Sequence, residues 1–341
     1  MRPISYSRVA DVATAVGAVT ADPASAFLAG GTTQIDLLRI YVEQPRRLVD
    51  INDLPLHRVE ELPGGGLLIG ALARMSEVAE HPAVTRRSPL VSQALLQGAS
   101  PQLRNMATIG GNLLQRTRCG YFRDVSAACN KRTPGTGCAA LDGVNRGHAV
   151  LGTSEHCIAT HPSDLAVALV ALDAEVVTEG PHGRRGIPID EFFLPPEDTP
   201  DIEHPLDHGE LIVAVEVPPA PARSTSLYLK VRDRESYEFA LASAAVALRV
   251  DGAAVGAGVV GEVRLALGGV ATRPWRARRA ERILTGRPAT TESFAAAARE
   301  ELAPAVSRGL NEFKIELARR TIVRALETAA GIGDGARPAG P

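Results

Sequence analysis

The four cysteines of this 341-residue chain, Cys119, Cys129, Cys138 and Cys157, all fall within one 39-residue window. A chain of this length buries enough apolar surface to fold without disulfide staples, so the clustering asks for another explanation. Three chemistries fit clustered thiols: a metal or iron–sulfur site, a redox pair with two bystanders, or buried thiols acting as small apolar side chains. The spacing Cys-x9-Cys-x8-Cys-x18-Cys contains no Cys-x2-Cys knuckle, which argues against a small zinc finger.

Two glycine pairs form a second group of chemically capable residues. Ala29-Gly30-Gly31-Thr32-Thr33 and Thr108-Ile109-Gly110-Gly111-Asn112 share one design. Glycine lets backbone N–H groups approach a ligand closely, and Thr or Asn adds donors. The first loop also opens a helix, whose N-terminus favours phosphate. Neither loop has glycine at the first, third and sixth positions, so a Rossmann site is unsupported. One such loop reads most simply as a turn; two in one domain favour a pyrophosphate ligand.

The elements that must position these residues are mixed. Ser25–Tyr41 reads as strand, Gly-Gly turn and helix, with the threonines where an N-cap belongs. LLIGALARMSEVAEHP reads as a strand leading into a helix that stops near Pro82, and Leu90–Leu96 reads helical. DLAVALVALDAEVVTEG gives a helix then a strand, and LIVAVEVPP a strand stopped by Pro218. PPAPARSTS is the linker candidate. Beyond it come a strand, a charged turn and a strand in LYLKVRDRESYEFALASAAVALRV, another strand in VRLALGG, and two helices split near Pro304. The fold class is α+β, without a regular βαβ array. Net charge is -2, which gives no reason to expect nucleic acid, and no apolar run reaches the ~20 residues needed to span a bilayer. The N-terminus lacks an apolar signal core, so cytoplasmic folding is the default expectation.

Taken together, FLAGGTTQIDLLR, ATIGGNLLQ, THPSDLAVALVALDA, GELIVAVEVP and YLKVRDRESYEFALASAAVAL resemble, in family order, the FAD-binding medium subunits of the molybdenum hydroxylases. These are the xanthine dehydrogenase and carbon monoxide dehydrogenase family. The resemblance implies a two-part FAD-binding domain of the vanillyl-alcohol oxidase-like type over residues 1–220 and a smaller α+β flavoprotein domain over 226–330, while the Gly- and Pro-rich GIGDGARPAGP, 331–341, reads by itself as a frayed tail. It implies that FAD is held by Ala29, Gly30, Gly31, Thr32, Thr33, Gln34 and Ile35, and by Thr108, Gly110, Gly111, Asn112 and Gln115. It places Asp164 on a hydroxyl of the flavin nucleotide, and Ile212 and Lys230 beside the isoalloxazine, where a fixed cation favours the reduced, anionic ring. It names no catalytic residue in this chain.

In plain members of that family only a short segment separates the second glycine loop from the Ser-Asp pair; here Asn112 and Asp164 are 52 positions apart. The extra segment, at about 115–158, holds all four cysteines. It resembles the insert of the flavoprotein subunits of periplasmic aldehyde oxidoreductase and 4-hydroxybenzoyl-CoA reductase, which carries a [4Fe–4S] cluster on four cysteines. Such a core with its thiolates carries a net charge of about -2 that needs offsetting. Between Arg116 and Arg146, the six basic residues Arg116, Arg118, Arg123, Lys131, Arg132 and Arg146, against only Asp124 and Asp142, are expected to offset it or to form a solvated partner surface. The implied function is electron transfer: a large partner carries the molybdenum cofactor, a small partner carries two [2Fe–2S] clusters, and FAD passes electrons to an external acceptor. Export alongside a signal-bearing partner would make the complex periplasmic. The competing readings are a stand-alone FAD reductase of the same fold and a scaffold holding structural zinc.

Overall fold

Apolar alternation and short turn-bounded runs build three sheets in the computed structural model, which describes residues 3–252 and 258–332. Strands Ser5–Arg8, Arg47–Asp50 and Ser25–Leu28 pair parallel in that spatial order. Parallel neighbours need crossovers, here the helices Val12–Thr20 and Gln34–Arg39. The second of these follows the first glycine loop directly.

The second sheet is antiparallel and five-stranded: Val59–Glu61, Leu67–Gly70, Leu211–Val217, Glu175–Gly180 and Gly183–Pro188. Its central strand, Leu211–Val217, is buried along most of its length, as the unbroken run LIVAV requires. Helices Met75–Glu80, Pro82–Arg87, Pro89–Gln97 and Asp164–Ala171 complete its core. Every residue of Asp164–Ala171 is buried. A helix apolar on all faces belongs between layers, and this one also touches strands Ala242–Asp251 and Val259–Gly268 of the third sheet.

That third sheet runs Trp275–Arg276, Val259–Gly268, Ala242–Asp251, Thr225–Val231, all antiparallel. Helices Arg278–Leu284, Thr291–Glu301 and Phe313–Ala330 share its core.

Most elements named from the sequence agree in type, and the differences lie at particular points. Helix Met75–Glu80 stops just before Pro82 as expected, but Pro82 then takes the first position of a further helix, where its missing N–H costs nothing. Thr33 occupies the N-cap position of Gln34–Arg39 but makes no side-chain cap bond. The second glycine loop is a short helix, Ile109–Leu113, capped by the Thr108 hydroxyl accepting from Gly111 N. Helix Arg278–Leu284 is charged enough to have escaped notice. Of the expected tail, residues 333–341 lie outside the described part.

The segment 115–158 has one short helix, Gly120–Arg123, and is otherwise turns. Its end does not stay with the N-terminal half. Val150 and Leu151 lie in the core of the third sheet, with both N–H groups donated to Val270 O.

Candidate functional site

The two glycine loops lie against each other, and the reason is steric. A Cβ on Gly30 would come within 1.9 Å of the Met106 carbonyl oxygen, so only glycine lets the first loop seat on the second. Gly31 adds a φ of +72°, comfortable only for glycine. The second loop is held from behind by Ile109 N and Gly110 N, which donate to Ala73 O and Ala71 O at 3.1 and 2.8 Å. Its amides are thus largely committed to the protein. Those of Gly31, Thr32 and Thr33 make no backbone hydrogen bond among the described residues and remain available to an anion.

Between the loops opens a cavity of about 450 Å³, within the usual range for small-molecule sites. Thr32, Thr33, Gly111, Asn112, Gln115, Asp164 and Lys230 line it. Met75, Ala94, Leu103, Ala107 and Leu165 give it an apolar wall, and Tyr237 and Phe239 stand at the side of the charged turn. The remaining expected residues sit behind or beside it. Gly30, Gly31, Thr108 and Gly110 form the seat; Ala29 O accepts from Asn52 Nδ2 at 3.0 Å; Gln34 and Ile35 begin the helix, with Ile35 exposed. Ile212 is buried in the five-stranded sheet, packed under Gly110, and does not share the cavity with Lys230.

At the floor of the cavity, Asp164 opens its helix after Ser163, whose hydroxyl caps it. Asp164 and Lys230 form an ion pair of 2.8 Å in which the lysine side chain is 1% exposed. Lys230 Nζ also donates to Gln97 O at 2.9 Å, and the Tyr228 hydroxyl donates to Asp164 Oδ1 at 2.6 Å. Burial pushes the Asp164 carboxyl up, while Lys230 and Tyr228 pull it back. Burial and the neighbouring carboxylate push the Tyr228 phenol well above its ordinary value. Tyr228 was not singled out in the sequence, although strand periodicity puts residues 228 and 230 on one face. Removing the lysine would leave a desolvated carboxylate alone. Lys230→Met should therefore lower the unfolding free energy by about 3–5 kcal/mol, read from the urea midpoint. Adding Asp164→Asn should restore most of it, and an unmoved midpoint in the single variant would refute the pairing argument.

The four cysteines, all free thiols, line a single small pocket together with Tyr121, Phe122, Asn130 and Lys131. A hairpin turn brings Cys129 and Cys138 opposite each other as an antiparallel bridge. Asn130 fixes the hairpin by donating to His156 O and accepting from Gly137 N, which draws Cys157 to the same place. Arg132 donates to Tyr121 O and Phe122 O at 2.8 and 2.7 Å, fastening the Cys119 turn to the hairpin. Burial raises the Cys119 thiol and pushes Cys157 up to about 11, so neither ionises at neutral pH without a cation beside it. Among the described residues no three His, Cys, Asp or Glu side chains gather closely enough to hold a single ion.

The basic residues of this segment are not spread around the sulfurs as expected. Arg118 and Arg123 pair with Asp36 of helix Gln34–Arg39. Arg116 pairs with Glu43 and Glu203, and Arg146 with Asp233. Only Lys131 lines the cysteine pocket, and its own partner is Glu203 at 3.0 Å. Carboxylates from outside the segment, invisible to a count within it, take the charge. The result is a clamp: Asp36, Leu37 and Ile40 of the first glycine-loop helix contact Arg123, Phe122, Cys119 and Cys129. Both ends of the segment also meet, the Ser163 hydroxyl donating to Asn112 Oδ1 at 2.5 Å.

Residues 2–220 match the family described as the FAD binding domain in molybdopterin dehydrogenase, and 227–329 match the CO dehydrogenase flavoprotein C-terminal domain. The chain is 47% identical over 331 residues to the aldehyde oxidoreductase FAD-binding subunit PaoB of Escherichia coli, covering 96% of this chain and 99% of that one. It is 30% identical over 307 residues to the carbon monoxide dehydrogenase medium chain of Hydrogenophaga pseudoflava, covering 89% and 88%. A solved carbon monoxide dehydrogenase from the same organism superposes with a TM-score of 0.75 at 28% identity, over 97% of this chain and 98% of that one. With both halves matched in order and the glycine loops facing one cavity, the chain belongs to the FAD-binding medium subunits of the molybdenum hydroxylase family, which are oxidoreductase subunits.

Proposed function

We propose that this chain is the electron-transfer subunit of a molybdenum-dependent aldehyde oxidoreductase and that it carries a [4Fe–4S] cluster beside its FAD. The observation that carries the cluster is the convergence of Cys119, Cys129, Cys138 and Cys157, from positions far apart in a segment with little regular structure, on one pocket. Four sulfur donors with no carboxylate among the lining residues suit iron–sulfur ligation. A multi-iron core spreads its thiolates wider than one tetrahedral ion does, which favours it over zinc.

When bound, FAD would take up electrons one at a time from one-electron iron–sulfur carriers and store two for delivery to an external acceptor, which links the partner's substrate oxidation to that acceptor. The chain's own part is binding and orientation. Thr32, Thr33, Gly111, Asn112 and Gln115 are the candidate contacts to the pyrophosphate side, and Asp164 and Lys230 to the polar parts of the flavin. The apolar wall keeps water from the ring. The partners in this reading are a large subunit with the molybdenum cofactor and a small subunit with two [2Fe–2S] clusters. The 47% identity to an aldehyde oxidoreductase subunit supports that assembly and that substrate class. No helix among the described residues is long and apolar enough to cross a membrane. Either side of the bacterial inner membrane suits the proposal, the periplasm through co-export.

The test is compositional. Anaerobically purified protein should hold about one non-covalent FAD, with close to four iron and four sulfide per chain and a broad absorbance near 400 nm. FAD without metal, which a stand-alone reductase of this fold would show, would remove the cluster from the proposal. Colourless protein with one zinc would replace it with a structural scaffold.

A further inference from the structure

We infer that His148 donates its Nε2–H to the Cys119 sulfur and so raises the reduction potential of the cluster held by the four cysteines. The inference rests on the cluster reading above and goes beyond it.

His148 lies inside the segment but outside its cysteine pattern. Its Nε2 stands 3.2 Å from Cys119 Sγ. The other ring nitrogen, Nδ1, is buried with no hydrogen-bond partner among the described residues. A neutral imidazole has one N–H to place. On Nδ1 it would be a buried, unsatisfied donor, and the Nε2 lone pair would face the electrons of a ligated sulfur. On Nε2 it meets the most negative neighbour available.

The ring is fixed from a distance. Lys314, wholly buried in helix Phe313–Ala330, donates to Gly147 O and His148 O at 3.0 Å each and to Gly269 O at 2.5 Å. Asn145, also buried, donates to Ala140 O, Leu141 O and Arg308 O and accepts from Leu310 N. His148 N donates to Asn145 O at 2.9 Å. Two side chains with all their bonds made thus hold the backbone of the donor. Such support is typical of groups that tune a metal site without ligating it.

Reduction adds one electron to the core and no proton, and the extra charge falls partly on the sulfurs. A hydrogen bond to a ligating sulfur stabilises that charge, which moves the midpoint up. His148→Leu removes the donor, while His148→Gln keeps an N–H of similar reach. Both variants would be purified in the complete complex without oxygen, assayed for iron and FAD, and titrated with potential monitored by electron paramagnetic resonance. We expect iron and FAD to be retained in both. His148→Leu should lower the cluster midpoint by at least about 59 mV, a tenfold change in the oxidised-to-reduced ratio for one electron. His148→Gln should recover part of that shift, and the flavin midpoint should stay where it was. An unmoved cluster midpoint in His148→Leu with iron intact would overturn the inference. So would loss of iron from both variants, which would make His148 a ligand or a fold element. Absence of iron from the unsubstituted protein would instead overturn the cluster reading itself.

Discussion

Replacing Gly30 by valine is expected to yield protein without flavin. The built Cβ would lie 1.9 Å from Met106 O and 2.8 Å from its carbonyl carbon, and both are backbone atoms that cannot rotate away. The same carbonyl accepts from Arg74, whose other nitrogen donates to Asn52 Oδ1 at 3.0 Å. Relieving the clash therefore means parting the two loops and breaking the arginine bridge behind them. Overpacking of this kind costs about 1–3 kcal/mol or more, and the amides of Thr32 and Thr33 move with it. Bound FAD should fall from about one per chain to below a tenth, measured by absorbance after gel filtration. Gly111→Ala makes the contrast. Its Cβ meets only the Thr108 hydroxyl oxygen, at 2.9 Å, and that oxygen sits on a side chain able to turn aside. Weakened but measurable FAD binding is expected there. Full occupancy in Gly30→Val would mean that the loops do not form the flavin seat.

The second large effect follows from the clamp between the cysteine segment and the first glycine-loop helix. With the cluster proposed above in place, Cys138→Ser should strip most of the iron, and a group bound only by the folded state takes its binding free energy with it. The loss should propagate. Cys119, Cys129 and Phe122 support Leu37 and Ile40 from below, while Arg118 and Arg123 hold Asp36 at the cavity edge. The variant should melt several degrees lower, since about 1 kcal/mol is worth about 1–2 °C in a chain of this size and a bound cluster contributes several kcal/mol. FAD should leave roughly tenfold faster, equivalent to about 1.4 kcal/mol of lost support. Reduction of the FAD that remains, followed by rapid mixing of the complex with substrate, should stay substantial, because the resemblance implies that the segment is an addition to a flavin domain whose plainer members lack it. Near-total loss of that reduction at full FAD occupancy would make the cluster an obligatory relay and the structural reading wrong.

What the sequence made legible was whatever rests on local pattern. The strand, glycine turn and helix at 25–41, the unbroken apolar helix after Ser163 and the paired strands around the charged turn all came from periodicity and turn residues. The cysteines were legible as a group because clustering needs no geometry. What was hidden depends on contacts between distant positions. Asp36 shows no sign of being the partner of two arginines more than 80 positions later, so a surplus of charge within one segment looked unbalanced. The second glycine pair looked like a ligand loop, yet tertiary bonds to residues 71 and 73 consume its amides. Lys314 resembles any helical lysine until the fold supplies three carbonyls around it.

The meeting of Asn112 and Ser163 has a consequence for how such a segment could be gained. Because departure and return points touch, the intervening chain is a detour that leaves the path on either side undisturbed. Lengthening a connection between fixed anchors costs little: each doubling adds about 0.6 kcal/mol of closure entropy. An ancestor could have accepted the detour in one genetic step without losing its flavin. It would not stay passive afterwards. Once Val150 and Leu151 had found places under the third sheet, and Asn145 and Lys314 had stitched the detour to the final helix and the loop before it, excision would uncover apolar surface on both halves. Cutting from 113 to 162 and rejoining the ends should therefore leave a traceable chain that folds poorly, a ratchet that makes the acquisition hard to reverse.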